Sequence, residues 1–325
     1  MTDGATPLIL WLIVAAIDAV FAGLPGLGAL LAAPLAVAGG LARWFDARLN
    51  RAHRGAADLR IRGAVVVSFL GAVAWLAAAA LHDLADVLPY GWLIEAVAIL
   101  GVLGQRRPID GARRVAAALD AGDEAAARTA LAPLVRFDVA PLDRYGIARG
   151  AAESCAARLT EGLVGAAFWY LLLGLPGLLV YRAVNAMAGA IGLPSPRQAA
   201  FGFAARRLDD TLTLIPALIA GPLFVLAALF VPPSSPWQAL RVWLADLAAR
   251  PAAAAGRAEG ALAGALRLAL GGPRHYDGVS VPGSWIGDGR ARATSADVRR
   301  ASLLATVAAL LFATLLAGTV AARLV

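Results

Sequence analysis

The chain of 325 residues is 60% hydrophobic and only 16% charged, where a soluble domain carries roughly 25% charged residues, and this excludes an ordinary soluble enzyme in favour of a polytopic membrane protein. A single cysteine, Cys155, excludes a disulfide-stapled scaffold, and the three histidines, His53, His82 and His275, offer no zinc-ligand spacing. The formal charge of +7 rests on 29 basic residues, all of them arginine, which excludes a Walker A lysine or a Schiff base; the arginines fall in loops between apolar stretches, a positive-inside pattern rather than a nucleic-acid surface.

In chain order, the apolar stretches predict an all-α, polytopic integral membrane helical bundle. Met1 to Pro7 lacks a basic n-region and reads as retained rather than as a signal peptide. Pro7–Phe21 and Leu27–Ala42 flank the turn Gly23-Leu-Pro-Gly26 and are expected to form a helical hairpin. Ala64–Leu81 and Val87–Gly104 approach the roughly 20 residues that a crossing needs. Leu163–Ala183 is broken by Gly174-Leu-Pro-Gly177, and Leu212–Val231 contains Pro216 and Gly221-Pro222. Such interrupted helices are expected either as kinked spans or as segments that enter and return on one face. Leu303–Ala321 is an uninterrupted span.

Loop charge sets the orientation. Arg43, Arg48, Arg51, Arg54, Arg60 and Arg62 put the loop after the second span in the cytoplasm, and Asp83 and Asp86 put the connection after the third outside. Residues 105–162 then form a cytoplasmic helical loop whose Arg113–Arg128 portion has amphipathic spacing, and 232–301 form a long polar loop with a soluble-looking stretch from Gly271 to Asp297. The whole chain, 1–325, reads as one integral membrane domain, multi-pass in the cell inner membrane, with its polar site on the cytoplasmic side.

The densest polar run is Arg206-Arg207-Leu208-Asp209-Asp210, preceded by Phe201-Gly202-Phe203. On a helix this spacing makes intrahelical ion pairs. It also suits phosphoryl chemistry, in which arginine forks hold phosphate and aspartates hold Mg2+. Glu153 and Glu161 stand at i and i+8 on one helix face, a spacing for divalent-ion binding or acid–base work, or for a solvated helix end. Asn185 ends an apolar run, where a helix cap is the plain reading.

The string Leu173 to Asn185, followed by Phe201-Gly202 and by Ala205 to Pro216, resembles the adenosylcobinamide-phosphate synthase family of cobalamin biosynthesis (CobD/CbiB). Gly39–Arg51 resembles that family's arginine-rich segment, Val135–Gly162 its central loop and glutamate helix, and Ala261–Tyr276 with Trp285-Ile-Gly287 its later motifs. Polar positions depart from the family pattern: Ala33 replaces a histidine, Ala157-Arg158 a Glu-Asn pair, and Glu161 an aspartate. Ala186, Ala188, Gly189 and Ala190 replace polar residues after Asn185, Thr213 and Leu218 stand for Asn and Arg, and a Ser-Pro-Asn triplet is lost within Ala252–Ala255.

The resemblance implies an integral membrane ligase that joins adenosylcobyric acid, the corrinoid substrate, to aminopropanol or its phosphate. ATP drives the amide bond and Mg2+ accompanies the nucleotide. It assigns Glu153 and Glu161 to metal or base work, Asp209 and Asp210 to Mg2+, Arg206 or Arg207 to phosphate, and Asn185 and Tyr276 to substrate orientation. The lipid bilayer and other cobalamin-pathway enzymes are the implied partners, with no nucleic acid. Two alternatives stay open. The polar departures suit a non-catalytic paralogue that binds a corrinoid or a partner enzyme, and the broken segments around Pro176 and Pro216 suit a small-molecule transporter, although no inverted repeat is evident.

Overall fold

Long alanine, leucine and valine runs favour helices, and the computed structural model, which describes residues 6–21, 33–103, 106–249 and 257–324, is 76% helical. Its helices are α1 (Thr6–Phe21), α2 (Ala33–Leu49), α3 (Ala56–Val87), α4 (Trp92–Leu103), α5 (Arg106–Asp120), α6 (Glu124–Leu131) and α7 (Arg144–Arg158). After a π-helical stretch, Leu159–Val164, come α8 (Gly165–Ile191), α9 (Phe203–Ala227), α10 (Pro236–Ala249), α11 (Arg257–Leu266) and α12 (Ser295–Leu324). Four stretches are long and apolar enough to cross a membrane: Ala56–Val87, Arg144–Ile191, Phe203–Ala227 and Ser295–Arg323. This is the all-α polytopic architecture that the composition predicts.

Several boundaries differ from the sequence expectation. The third span begins early, at Ala56, because Arg62 pairs with Asp58 one turn before it, Nε to Oδ2 2.9 Å, which makes the polar turn compatible with a helix. The expected span Val87–Gly104 does not form as one. Pro89 disfavours helical backbone at Leu88, which is extended (φ −87°, ψ 139°), Tyr90 turns at φ 66°, and the helix that follows has only 12 residues. The predicted turn at Gly23–Gly26, residues 27–32 of the second span, Gly104 and Ala252–Ala255 lie outside the described residues.

The chain divides into two compact units. The first comprises Met1–Gly104, Gly165–Leu212 and Leu315–Val325, and its core gathers Val66, Val67 and Leu70 of α3 with Val184, Met187 and Ile191 of α8, Phe201 and Ala205. Gly63 is required there by contact. A Cβ built on it would collide with the backbone carbonyl of Phe201. Gly63→Ala therefore forces helix and loop apart and should destabilise the protein by about 1–3 kcal/mol, read as a lower unfolding midpoint in detergent. Asp46, buried on α2, ties down the loop before α9 by accepting from Arg197 at 2.8 Å, while Asn50 donates to the Arg197 carbonyl at 2.9 Å.

Within the same unit α8 breaks at Gly174, whose φ of 66° and ψ of −159° suit glycine alone. In a straight helix Trp169 and Gly177 would be about 12 Å apart along the axis, yet a Cβ on Gly177 would sit 2.7 Å from the Trp169 carbonyl oxygen. Trp169 also stacks on Tyr181, 12 positions later, with ring centroids 6.3 Å apart. The two halves, 165–173 and 175–191, thus fold back on each other.

The second unit comprises Gln105–Val164 and Thr213–Thr314. In it α5 buries Ala112, Val115, Ala116 and Leu119 along one stripe, so the amphipathic pattern expected over Arg113–Arg128 is met up to Asp120, where the helix ends and α6 begins anew at Glu124. The polar loop contains two small antiparallel sheets, β1 (Leu270–Gly271) with β4 (Trp285–Ile286) and β2 (Arg274–Tyr276) with β3 (Val279–Val281). The β2–β3 hairpin turns on Asp277-Gly278, both at positive φ (52° and 76°), the conformation that a two-residue hairpin loop takes.

Candidate functional site

The sequence-predicted residues fall into two polar clusters, one in each unit. In the first unit the second half of α8 carries Arg182 and Asn185, a turn apart on one face. Arg182 Nη1 donates to Asn185 Oδ1 at 3.4 Å, and Asn185 Nδ2 donates across to Asp209 Oδ1 on α9 at 3.2 Å. All three are nearly closed to solvent, at 6%, 4% and 8% exposure. Ionisable groups beside apolar helices are costly unless paired or used, and this chain from cation to amide to carboxylate is both buried and directed. Asn185 lies inside α8 and does not cap it, because its amide is spent on the neighbouring helix.

One turn before Asp209, Arg206 is half-buried and Arg207 is exposed. The Arg207 guanidinium lies 5.6 Å from the Phe203 ring centre and that of Arg60, from α3, lies 5.3 Å from the same ring. Phe203 thereby has two guanidiniums within 6 Å of its ring centre at the entrance of α9, cations that suit an anion. Asp210 is half-buried. Mg2+ bound to a nucleotide takes one or two carboxylates and completes its shell with phosphate and water. Adjacent helix residues diverge by about 100°, so Asp209 and Asp210 do not grip one ion together, but the donor set fits a Mg2+ held through a single carboxylate. Among the described residues no three His, Cys, Asp or Glu side chains assemble to hold a metal by themselves.

The second cluster is built on α7, which Asp143 caps by accepting from the Gly146 amide at 2.6 Å. Glu153, 5% exposed, accepts from the Gly271 amide at 2.6 Å and from the Arg274 guanidinium. Arg274 in turn lies 4.5 Å from the Phe137 ring centre. Burial opposes its charge, but the Glu153 carboxylate, with Glu259 and Tyr276 behind it, outweighs burial and holds the guanidinium above its ordinary pKa. Asp138 fastens the same hairpin, its amide donating to the His275 carbonyl at 2.9 Å and its carboxylate accepting from the Gly278 amide at 2.8 Å. These contacts fix β2 and hence the half-buried Tyr276.

Glu161 is buried in the π-helical stretch and accepts from Arg136 at 3.2 Å. The i, i+8 spacing presumes one regular helix, whereas the wider π turn begins at Leu159 between the two glutamates, and each is held by a different arginine. Sequence reasoning missed Arg60, Arg136, Arg182 and Arg274. Only Arg182 has a local signal, its position three residues before Asn185.

The family described as CobD/Cbib protein matches residues 11–305. The chain belongs to the CobD/CbiB family. It is similar to proteins named cobalamin biosynthesis protein CobD: one of Sinorhizobium sp is 41% identical over 260 residues, covering 78% of this chain and 80% of the relative. That of Rhodobacter capsulatus is 34% identical over 264 residues (80% and 76%), and that of Mycobacterium tuberculosis 37% over 252 residues (77% and 79%). No solved structure matches. The CobD/CbiB match spans both polar clusters, from Arg182, Asn185 and Asp209 to Glu153 and Arg274.

Proposed function

We propose that this CobD/CbiB protein acts in cobalamin biosynthesis as an inner-membrane, ATP-dependent ligase. It would join the carboxylate of adenosylcobyric acid to the amine of aminopropanol or its phosphate, with its polar site on the cytoplasmic side. The observation that carries this reading is the buried relay Arg182–Asn185–Asp209 beside the cation pair at Phe203. A carboxylate and several guanidiniums at the end of a greasy bundle are the donors that nucleotide chemistry needs.

In this mechanism the corrinoid carboxylate oxygen attacks the γ-phosphorus of ATP, ADP leaves, and an acyl phosphate forms. The amine nitrogen then attacks the acyl carbon and phosphate leaves. Arg206 and Arg207 neutralise the transferred phosphate, and Asn185 fixes the rotamer of Asp209. Held through Asp209, Mg2+ would screen the nucleotide's negative charge. The leaving phosphate carries off the proton that the amine loses. In the second unit Glu153 positions, through Gly271 and Arg274, the hairpin that carries Tyr276.

The test is the full chain in nanodiscs with adenosylcobyric acid, aminopropanol phosphate and Mg-ATP. The amide product and ADP should appear one for one by mass spectrometry. Corrinoid binding without product would favour the non-catalytic paralogue, and solute uptake into proteoliposomes without ATP use would favour a transporter.

A further inference from the structure

The second unit carries a group of guanidiniums that the ligase reading leaves unused. Arg144 and Arg292 lie 5.8 and 5.7 Å from the ring centre of Tyr145, and Arg149 lies 5.3 Å from that of Trp285. Arg149 Nη1 also donates to the Ala291 carbonyl at 2.6 Å, which brings it beside Arg292. Arg149 thus reaches the backbone of the 291–292 loop, and Arg144 shares the Tyr145 ring with Arg292 of that loop. Among the described residues none of the three forms a salt bridge, because the carboxylates nearby are engaged elsewhere: Asp143 caps α7, Asp288 pairs with Arg241, and Asp297 holds Arg290 and Arg300.

The loop is rigid before any ligand arrives. Asp297 is fully buried and accepts from Arg290 at 2.7 and 2.8 Å, from the Thr294 amide and hydroxyl at 2.8 Å each, and from Arg300 at 2.7 Å. Arg290 donates onward to the Arg292 carbonyl at 2.6 Å. Like charges repel in the free protein, and a fixed loop keeps them together so that an anion gains from all of them at once. Trp285 stands 48% exposed at the edge of this cluster, and its exposed neighbours Gly283, Ser284 and Asp288 are small or polar. That surface suits a soluble ligand with a flat ring better than acyl chains.

We infer that Arg144, Arg149 and Arg292 with Trp285 form a second nucleoside-triphosphate site, in which the guanidiniums take the phosphates and the indole takes the base. The site stands whether or not the ligase reading does. Forked guanidiniums recognise phosphate oxygens, and a base on an aromatic ring adds affinity that bare polyphosphate lacks.

The test is calorimetric titration of the full chain in phosphatidylcholine nanodiscs with ATP, tripolyphosphate and adenosine, alongside mass spectrometry of the lipid retained from nanodiscs that also contain phosphatidylglycerol. The double variant Arg149→Gln, Arg292→Gln should bind one equivalent of ATP fewer than the unmodified protein. Trp285→Ala should weaken ATP at this site about tenfold and leave tripolyphosphate unchanged, a contrast that misfolding cannot produce. Equal ATP stoichiometry and affinity in all variants would overturn the inference. So would variants that alter only the retention of phosphatidylglycerol, which would make the cluster a headgroup site. Amide formation by the double variant, with one ATP equivalent lost, would uphold both readings. Loss of the equivalent in a chain that makes no amide would uphold this one and not the ligase.

Discussion

Glu153→Ala should destabilise the second unit by about 3 kcal/mol, at the low end of what removing one partner of a buried ion pair costs. The carboxylate is 6% exposed and serves two donors, the Gly271 amide and the Arg274 guanidinium. Without it Arg274 keeps its charge, since no accessible pH removes a proton from arginine, and a cation with only Glu259 left to offset it remains against Phe137. Arg274 retains 26% side-chain exposure, so water reclaims part of the loss. The hairpin of β2 and β3 should loosen first. A lower unfolding midpoint and faster proteolysis within 270–281 would report this, and adding Arg274→Ala should recover part of the stability, because the stranded charge goes with it. An unchanged midpoint in Glu153→Ala would mean that the pair contributes nothing to the fold.

That contact shows why sequence alone reaches some of this molecule and not the rest. Apolar runs reveal helices because the period and length are local, and Gly174-Leu-Pro-Gly177 marks the fold-back in α8 because glycine and proline act on their own backbone. Hydropathy is blind to Pro89, since Val87–Gly104 scores as one greasy stretch while the extended Leu88 ends the helix. Asp277-Gly278 is a local hairpin signal inside a stretch legible only as soluble-looking. The partners of Glu153 lie 118 and 121 positions away, and no periodicity links them. The Asn185–Asp209 bond spans 24 positions and depends on how two helices pack; the residue types suggest chemistry, but only the packing shows that Asn185 bonds to Asp209 on the neighbouring helix rather than capping its own.

Asp209→Asn is expected to lower the rate of amide formation by about 10²- to 10³-fold, the usual cost of removing one directed electrostatic contact from a transition state. The substitution is isosteric and keeps an oxygen to accept from Asn185 Nδ2, the 3.2 Å bond that joins α8 to α9. Folding is therefore preserved while the negative charge is lost, and the defect should fall on kcat rather than on the KM for adenosylcobyric acid. Asn185→Ala is the complement. It leaves the carboxylate charged but unsteered, so its loss should be smaller, about tenfold, and Asn185→Gln should not restore the rate because the longer side chain cannot keep the same reach. A purely structural relay gives the opposite pattern: both variants would lower the unfolding midpoint alike, and the rate per folded molecule would match the unmodified protein. Full ligation by a well-folded Asp209→Asn protein would remove this carboxylate from the mechanism and leave the cation pair at Phe203 as the only element of the first cluster with a claim on the nucleotide.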